Sequence, residues 1–120
     1  MDIDDITYKI NGAIFEVNRI LGHGFLEKVY ERALLLELKE LGLRAESQIQ
    51  IPVFYKGAMV GDYSADIVVE NRVLLELKSV KNLDSSHEAQ ILNYLKATNF
   101  SIGLLVNFTH PKAIIRRFIS

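Results

Sequence analysis

Two short apolar segments joined by a turn constrain this chain more than any other feature, because charged residues stand inside what is predicted to be buried sheet. The segments form D-I-V-V-E-N-R-V-L-L-E-L-K, from Asp66 to Lys78. Burying an unpaired carboxylate or ammonium is costly, or forces the group to neutralise. Side chains alternate along a strand, so Glu76 and Lys78 emerge on one face about 7 Å apart. The turn at Glu70-Asn71-Arg72 brings Asp66 beside them, so two carboxylates and one lysine converge.

This cluster suits divalent-metal phosphodiester chemistry. Two carboxylates about 4 Å apart repel by roughly 4 kcal/mol at an effective dielectric constant near 20. Mg²⁺ or Mn²⁺ between them reverses the sign of that term, and such hard cations prefer oxygen ligands. Lys78 can hold a water or offset charge on a phosphate. The alternative is a half-buried ion pair with a structural role only.

Composition limits the classes of protein that the chain can belong to. Its 120 residues are 49% hydrophobic and 24% charged, with a net charge of −1, and they predict one domain spanning residues 1–120. Cysteine is absent, which excludes disulfides, thiol catalysis and cysteine-ligated metals. No apolar run has the length of a membrane span, and the acidic N-terminus lacks a signal-peptide pattern, so we expect a cytoplasmic protein without membrane contact. The near-neutral charge argues against strong non-specific binding of nucleic acid.

Hydrophobic spacing predicts an α/β fold, a mixed sheet flanked by helices in the order α-α-β-β-β-α-β. The predicted helices are Ile3–Leu21, Phe25–Leu41 and Ser85–Asn99, and the predicted strands are Gln48–Tyr55, Gly61–Glu70, Val73–Val80 and Ser101–Phe108. The segment from Ala113 to Ile119 fits either a short strand or a helical tail. Pro52 predicts an edge or a bulge, Lys56-Gly57 a hairpin turn, and Ser85-x-x-Glu88 a capping box.

Three polar residues of the last predicted helix fall on one stripe: His87, Gln90 and Tyr94. A glutamine has no acid–base chemistry, but it can orient a carboxylate, a water or a phosphate oxygen. The alternatives are a surface amide for Gln90, a boundary aromatic for Tyr94 and a solvent-facing residue for His87. Only the strand acids draw attention to this stripe.

A further acid, Glu27, stands in G-H-G-F-L-E-K-V-Y, in the first turn of the second predicted helix. Tyr30 and Glu31 lie on the same side. Acids at helix N-termini are stabilised by about 0.3–1 kcal/mol through the helix dipole, which offers a structural explanation for Glu27.

The segment G-F-L-E-K-V-Y, from Gly24 to Tyr30, resembles the G-x-x-E-x-x-Y signature of the GxxExxY proteins. These are small, mostly prokaryotic members of the PD-(D/E)xK nuclease-like superfamily. The resemblance continues through Q-I-Q-I-P-V-F-Y-K-G, G-D-Y-S-A-D, L-L-E-L-K, H-E-A-Q-I-L-N-Y-L-K and G-L-L-V-N-F, and so covers nearly the whole chain. One departure is Ala65, which precedes Asp66 where the superfamily name has proline.

The resemblance implies a restriction-endonuclease-like core with a metal site. Asp66 and Glu76 would bind Mg²⁺ or Mn²⁺, together with the Leu77 carbonyl. Lys78 would assist the attacking water. Glu27 would match the acid that some members carry on the first core helix.

The helix stripe gains a role from the same resemblance. Gln90 and Tyr94 resemble the Q-x-x-x-Y element of the exonuclease-type branch, with Gln90 orienting the water or the phosphate. Tyr30, His87 and Tyr94 are predicted to support the site.

The predicted function is therefore a divalent-metal-dependent nuclease that acts on nucleic acid, with DNA preferred. The alternative is a non-catalytic module of the same fold that binds nucleic acid or protein. A third possibility is a phosphate-transfer or nucleotide-hydrolysing enzyme for small substrates. A protein partner that delivers substrate would reconcile the near-neutral charge with a nucleic-acid substrate. A homodimer is the other candidate assembly.

Overall fold

The computed structural model describes residues 1–120 as three helices and one five-stranded sheet. The elements are α1 (Ile3–Leu21), α2 (Glu27–Glu40), β1 (Ala45–Tyr55), β2 (Ala58–Val69), β3 (Val73–Lys78), α3 (Ser85–Ala97), β4 (Ile102–Asn107) and β5 (Ile114–Ile119). This arrangement confirms the predicted mixed sheet with flanking helices and the predicted element order. The C-terminal segment left open by the sequence is the strand β5. None of the helices combines the length and the apolar character that crossing a membrane requires.

The strands lie in the sheet in sequence order, β1-β2-β3-β4-β5. Only β3 and β4 are parallel, and α3 forms the crossover between them. The other neighbouring pairs are antiparallel. Because β3 has a partner on each side, its six residues from Val73 to Lys78 are buried, except for Lys78, which is half-buried. A charged residue in such a strand must therefore find its partners on one of the two sheet faces.

Two apolar clusters cover the two faces of the sheet. The larger one packs α1 and α2 against the sheet and includes Ile10, Leu34 and Leu75. The smaller one lies under α3 and includes Leu74 and Ile91. Since strand side chains alternate, Glu76 shares the α3 face with Leu74.

A glycine in β4 allows α3 to pack closely on this face. A Cβ atom added to Gly103 would lie 3.0 Å from Cδ1 of Ile91 and 3.2 Å from Cδ1 of Leu95. Contacts this short mean that a side chain at Gly103 would force Ile91 and Leu95 to shift.

The helices α2 and α3 differ from the prediction at their ends, and α2 stops at Glu40, one residue before the predicted Leu41. The first turn of α2 starts at Glu27 and not at Phe25. The capping box of α3 is formed by Asp84 and His87, one residue before the predicted Ser85 pair, and α3 ends at Ala97 instead of Asn99. Asp84 and Ser85 are both good N-cap residues, so composition alone does not choose between them.

Both predicted turns are present: Lys56-Gly57 joins β1 to β2 as a two-residue turn, and Glu70-Asn71-Arg72 joins β2 to β3 between the paired residues Val69 and Val73. Lys56 and Gly57 have φ values of 49° and 85°, and Glu70 and Asn71 have φ values of 52° and 53°. Two consecutive positive φ angles match the right-handed twist of antiparallel strands. The second turn sets the register that places Asp66 near Glu76.

Candidate active site

Asp66 and Glu76 lock β2 to β3 through each other's backbone. The regular pairing of these strands ends at Ile67 and Leu75, one step short of the two acids. The Asp66 N–H donates to Glu76 Oε1 at 3.1 Å, and the Leu77 N–H donates to Asp66 Oδ2 at 2.7 Å. The two carboxylates thus replace the next rung of the ladder, and the structure brings them together in one place.

Beside this pair, the alternation of side chains between the two sheet faces is interrupted in the β1–β2 hairpin. Ala65 and Ile67 would share a face of a regular strand, yet Ala65 packs in the cluster under α3 and Ile67 in the cluster under α1 and α2. Gln48 in β1 has a φ of 53°, and the pairing of β1 with β2 omits it between Ser47 and Ile49. This irregularity carries the outer part of the hairpin over α3.

Burial makes the ionised form of both carboxyl groups unfavourable. Burial, followed by the charge of Asp66, raises the pKa of Glu76 to about 8. Burial also raises the pKa of Asp66, against the stabilising hydrogen bond from the Leu77 N–H. The two groups titrate as a pair, and near neutral pH that pair retains a proton.

Lys78 lies near both acids without forming an ion pair with either. Its charge lowers the pKa of Asp66 and of Glu76, which places the ammonium within their electrostatic reach. The ion pairs of the structure, however, leave Lys78 out. The ammonium therefore remains available to a water or a phosphate, in contrast to the structural ion pair that was the alternative.

Gln90 and Tyr94 face the same site from α3. Gln90 Nε2 donates to the Tyr94 hydroxyl at 3.0 Å. Burial and then the charge of Glu76 raise the pKa of Tyr94, so the phenol keeps its proton beside the acids. Because its oxygen already accepts from Gln90, the hydroxyl hydrogen is free to donate to a further oxygen.

Tyr30 holds the loop that leads into α2. Its hydroxyl donates to the Gly22 carbonyl at 2.5 Å and accepts from the Phe25 N–H at 3.3 Å. Its ring is fully buried and stacks on Phe108 with centroids 4.2 Å apart. Tyr30 therefore fixes the loop that precedes Glu27, and its supporting role in the site stays a prediction.

The acids of α2 approach Asp66 unequally. The charge of Glu31 raises the pKa of Asp66 more than that of Glu27 does. Glu31 is buried, and it accepts from Gln48 Nε2 at 2.7 Å and from Lys28 Nζ at 2.9 Å. Glu27 is exposed. Glu31 entered the sequence-based prediction only as a neighbour of Glu27. The signal that could have found it is the four-residue spacing, which puts both acids on one helix face.

His87 is engaged elsewhere. Its Nδ1 accepts from the Asp84 N–H at 3.1 Å, as part of the α3 capping box. No contact joins it to Asp66 or Glu76, so its supporting role in the site stays a prediction.

The carboxylate pair fits a hard divalent cation. No group of three or more histidine, cysteine, aspartate or glutamate side chains is arranged to hold a metal ion. Mg²⁺ commonly needs only one or two carboxylates, because it keeps several waters. Burial and then the charge of Asp66 raise the pKa of Glu76, and a cation between the two carboxylates would offset both effects.

Comparisons with known proteins identify the fold and the superfamily of this chain. A crystal structure of the protein SSO0001 superposes with a TM-score of 0.62 at 19% sequence identity, over 96% of this chain and 61% of that one. At that identity the likeness shows the fold alone, and this chain spans about three fifths of the length of SSO0001. No curated protein matches the chain. The sequence model of the PD-(D/E)XK nuclease superfamily matches residues 4–118, and the chain therefore belongs to this superfamily.

Proposed function

We propose that residues 1–120 form a single nuclease domain of the GxxExxY type, which hydrolyses phosphodiester bonds in DNA with Mg²⁺ or Mn²⁺. Superfamily membership supports a nuclease-like fold and the use of a divalent metal. The observation that carries the proposal is the pair formed by half-buried Asp66 and buried Glu76, whose carboxylates stabilise each other only when a proton or a cation lies between them. A protein that used these acids only to join two strands would gain as much from ordinary backbone pairing.

The roles follow from what each group contacts. Asp66, Glu76 and the Leu77 carbonyl would hold the ion, with Glu27 as the additional acid. A divalent ion bound there stabilises charge on the phosphate and lowers the pKa of the attacking water. Lys78, which no acid engages, would position that water. Gln90 would orient the water or the phosphate. The Tyr94 hydroxyl would donate a hydrogen bond to a phosphate oxygen.

The proposal predicts cleavage that depends on the metal. Purified protein should cut labelled DNA in the presence of Mg²⁺ or Mn²⁺, and chelation with EDTA should stop the reaction. Linear and circular substrates, single-stranded and double-stranded DNA, and RNA would define the substrate class and separate end-dependent from internal cleavage. An Asp66→Asn preparation, purified in parallel, controls for contaminating nuclease: equal cleavage by both preparations would refute the assignment.

Substitutions at Glu27 and Glu31 should distinguish a metal ligand from an acid with a structural role. Glu27 has no hydrogen-bond partner, so Glu27→Gln should weaken Mn²⁺ binding about tenfold or more and change the free energy of unfolding by less than about 1 kcal/mol. In Glu31→Gln the partners Gln48 and Lys28 lose a charged acceptor, which should cost about 1–3 kcal/mol of stability with a smaller effect on Mn²⁺ affinity. Isothermal titration calorimetry and urea unfolding measure the two quantities. Unchanged Mn²⁺ affinity in Glu27→Gln would remove Glu27 from the site.

One observation favours the alternative of a non-catalytic binding module. The chain has a net charge of −1, whereas proteins that bind nucleic acid unaided usually carry a basic surface. A basic protein partner that delivers substrate would supply the missing charge. Wild-type protein that binds Mn²⁺ but cleaves no substrate would favour this alternative.

A further inference from the structure

A groove opens between the β1–β2 hairpin and α3, and the site residues Gln90 and Tyr94 form part of its wall. It has a volume of about 770 Å³, and its walls include Val53, Phe54 and Tyr63 from the hairpin and Asn93 from α3. A bulge between Val53 and Phe54 breaks the strict alternation of β1, which allows both side chains to face the groove. The groove forms because the side-chain alternation of the hairpin is interrupted near Asp66, so that the outer part of the hairpin lies over α3.

The groove combines aromatic surface with neutral hydrogen-bonding groups. Phe54 and Tyr63 are 63% and 52% exposed, although exposed aromatic rings are unfavourable in water. The side-chain amides of Gln90 and Asn93 line the same walls, and Lys96 is the lysine at its edge. Flat apolar rings with amide donors and acceptors are what a nucleobase requires, because its faces stack and its edge forms hydrogen bonds. A single lysine suffices for one backbone phosphate, and the groove lacks the row of cations that follows a duplex.

The groove is continuous with the proposed active site. Tyr94 forms part of the groove wall, and its ring centroid lies 5.8 Å from that of Tyr63. After burial, the charge of Glu76 raises the pKa of the same tyrosine, and Gln90 donates a hydrogen bond to its hydroxyl. A nucleotide in the groove would therefore be next to the nucleotide whose phosphate reaches the carboxylates.

We propose that this groove, between Phe54 and Tyr63 of the hairpin and Gln90 and Asn93 of α3, binds an unpaired base of single-stranded DNA. The inference rests on the proposed nuclease function and adds its substrate: a single strand, or a strand that is opened next to the cleaved bond. A paired base cannot insert between the hairpin and α3, because both of its faces and its edge are occupied within the duplex.

Neighbouring residues of the hairpin provide a matched test. Phe54 and Tyr55 are both 63% exposed, but only Phe54 lines the groove. Binding of fluorescein-labelled oligo-dT is measured by fluorescence anisotropy with Ca²⁺ in place of Mg²⁺, so that the assay does not depend on cleavage. Loss of one stacked base should raise the Kd about tenfold in Phe54→Ala, while Tyr55→Ala stays near wild type. For Tyr63, the phenylalanine variant should retain affinity and the alanine variant should lose it.

Two further ligands test whether the groove binds the bases of the oligonucleotide. A duplex of the same length and an abasic oligonucleotide should both bind more weakly than oligo-dT, because neither offers a free base. Equal loss in Phe54→Ala and Tyr55→Ala, equal affinity for the abasic strand, or no binding of oligo-dT by the wild type would each overturn the proposal.

The outcome is separable from that of the nuclease assay. Cleavage by the wild type without the selective effect of Phe54→Ala would leave the nuclease assignment standing and reject the base site. Selective loss of binding without cleavage of any substrate would support the base site and reject the nuclease assignment.

Discussion

Lys78→Ala is expected to lower the rate of DNA cleavage on the order of a thousandfold or more, while Mn²⁺ affinity changes little. Lys78 contributes charge beside Asp66 and Glu76 but forms no ion pair with them. Its removal takes away the cation that would position the water and leaves the carboxylates in place. Asp66→Asn should lose both cleavage and Mn²⁺ binding, since it removes a ligand charge.

The two substitutions are informative because they preserve the fold. The amide oxygen of asparagine can still accept the hydrogen bond from the Leu77 N–H, which Asp66 accepts at 2.7 Å. Lys81→Ala, at an exposed position three residues after Lys78, is the matched control for loss of a lysine. Single-turnover cleavage and calorimetric Mn²⁺ titration separate the two properties. Activity near the wild-type level in Lys78→Ala, or undiminished Mn²⁺ binding in Asp66→Asn, would contradict the assigned roles.

The meeting of Asp66 and Glu76 was predictable because it depends on short-range rules. The short turn from Glu70 to Arg72 fixes the register of β2 against β3, and alternation fixes which face each side chain takes. The distance between the acids is therefore encoded in the segment from Asp66 to Lys78. The spacing of Gln90 and Tyr94 on α3 is local in the same sense, and their hydrogen bond follows from it.

The contacts that sequence patterns did not reveal join distant elements. Gln48 reaches Glu31 across 17 positions, through a backbone conformation with positive φ that no glycine signals. Phe54 and Tyr63 line a groove only because the hairpin changes face and carries a bulge. β5 was ambiguous for a different reason: I-I-R-R-F-I has neither a strict alternation nor a helical period, and its pairing with β4 decides its conformation.

Glu76→Gln is expected to make the metal-free protein more stable at alkaline pH by a few kcal/mol. The pKa of Glu76 is about 8 in the folded protein, against an ordinary value of 4.5. Between these two values the folded state holds a proton that the unfolded chain releases, so the free energy of unfolding falls as the pH rises through this window. The raised pKa of Asp66 acts in the same direction. Each unit of difference corresponds to about 1.4 kcal/mol.

Glutamine removes the Glu76 share of this dependence, since it has no proton to lose and can still accept from the Asp66 N–H. Urea unfolding of both proteins should therefore give similar stability near about pH 5 and a growing advantage of the variant toward about pH 9. Glu46→Gln, at an exposed position of β1, should follow the wild type throughout. Millimolar Mg²⁺ should narrow the difference between wild type and Glu76→Gln at alkaline pH, because the ion binds the ionised pair of the wild type and stabilises it by mass action. The inference is contradicted if the free energies of unfolding of wild type and Glu76→Gln follow parallel curves against pH without metal. No effect of Mg²⁺ on the wild type would show that the carboxylate pair does not bind the cation.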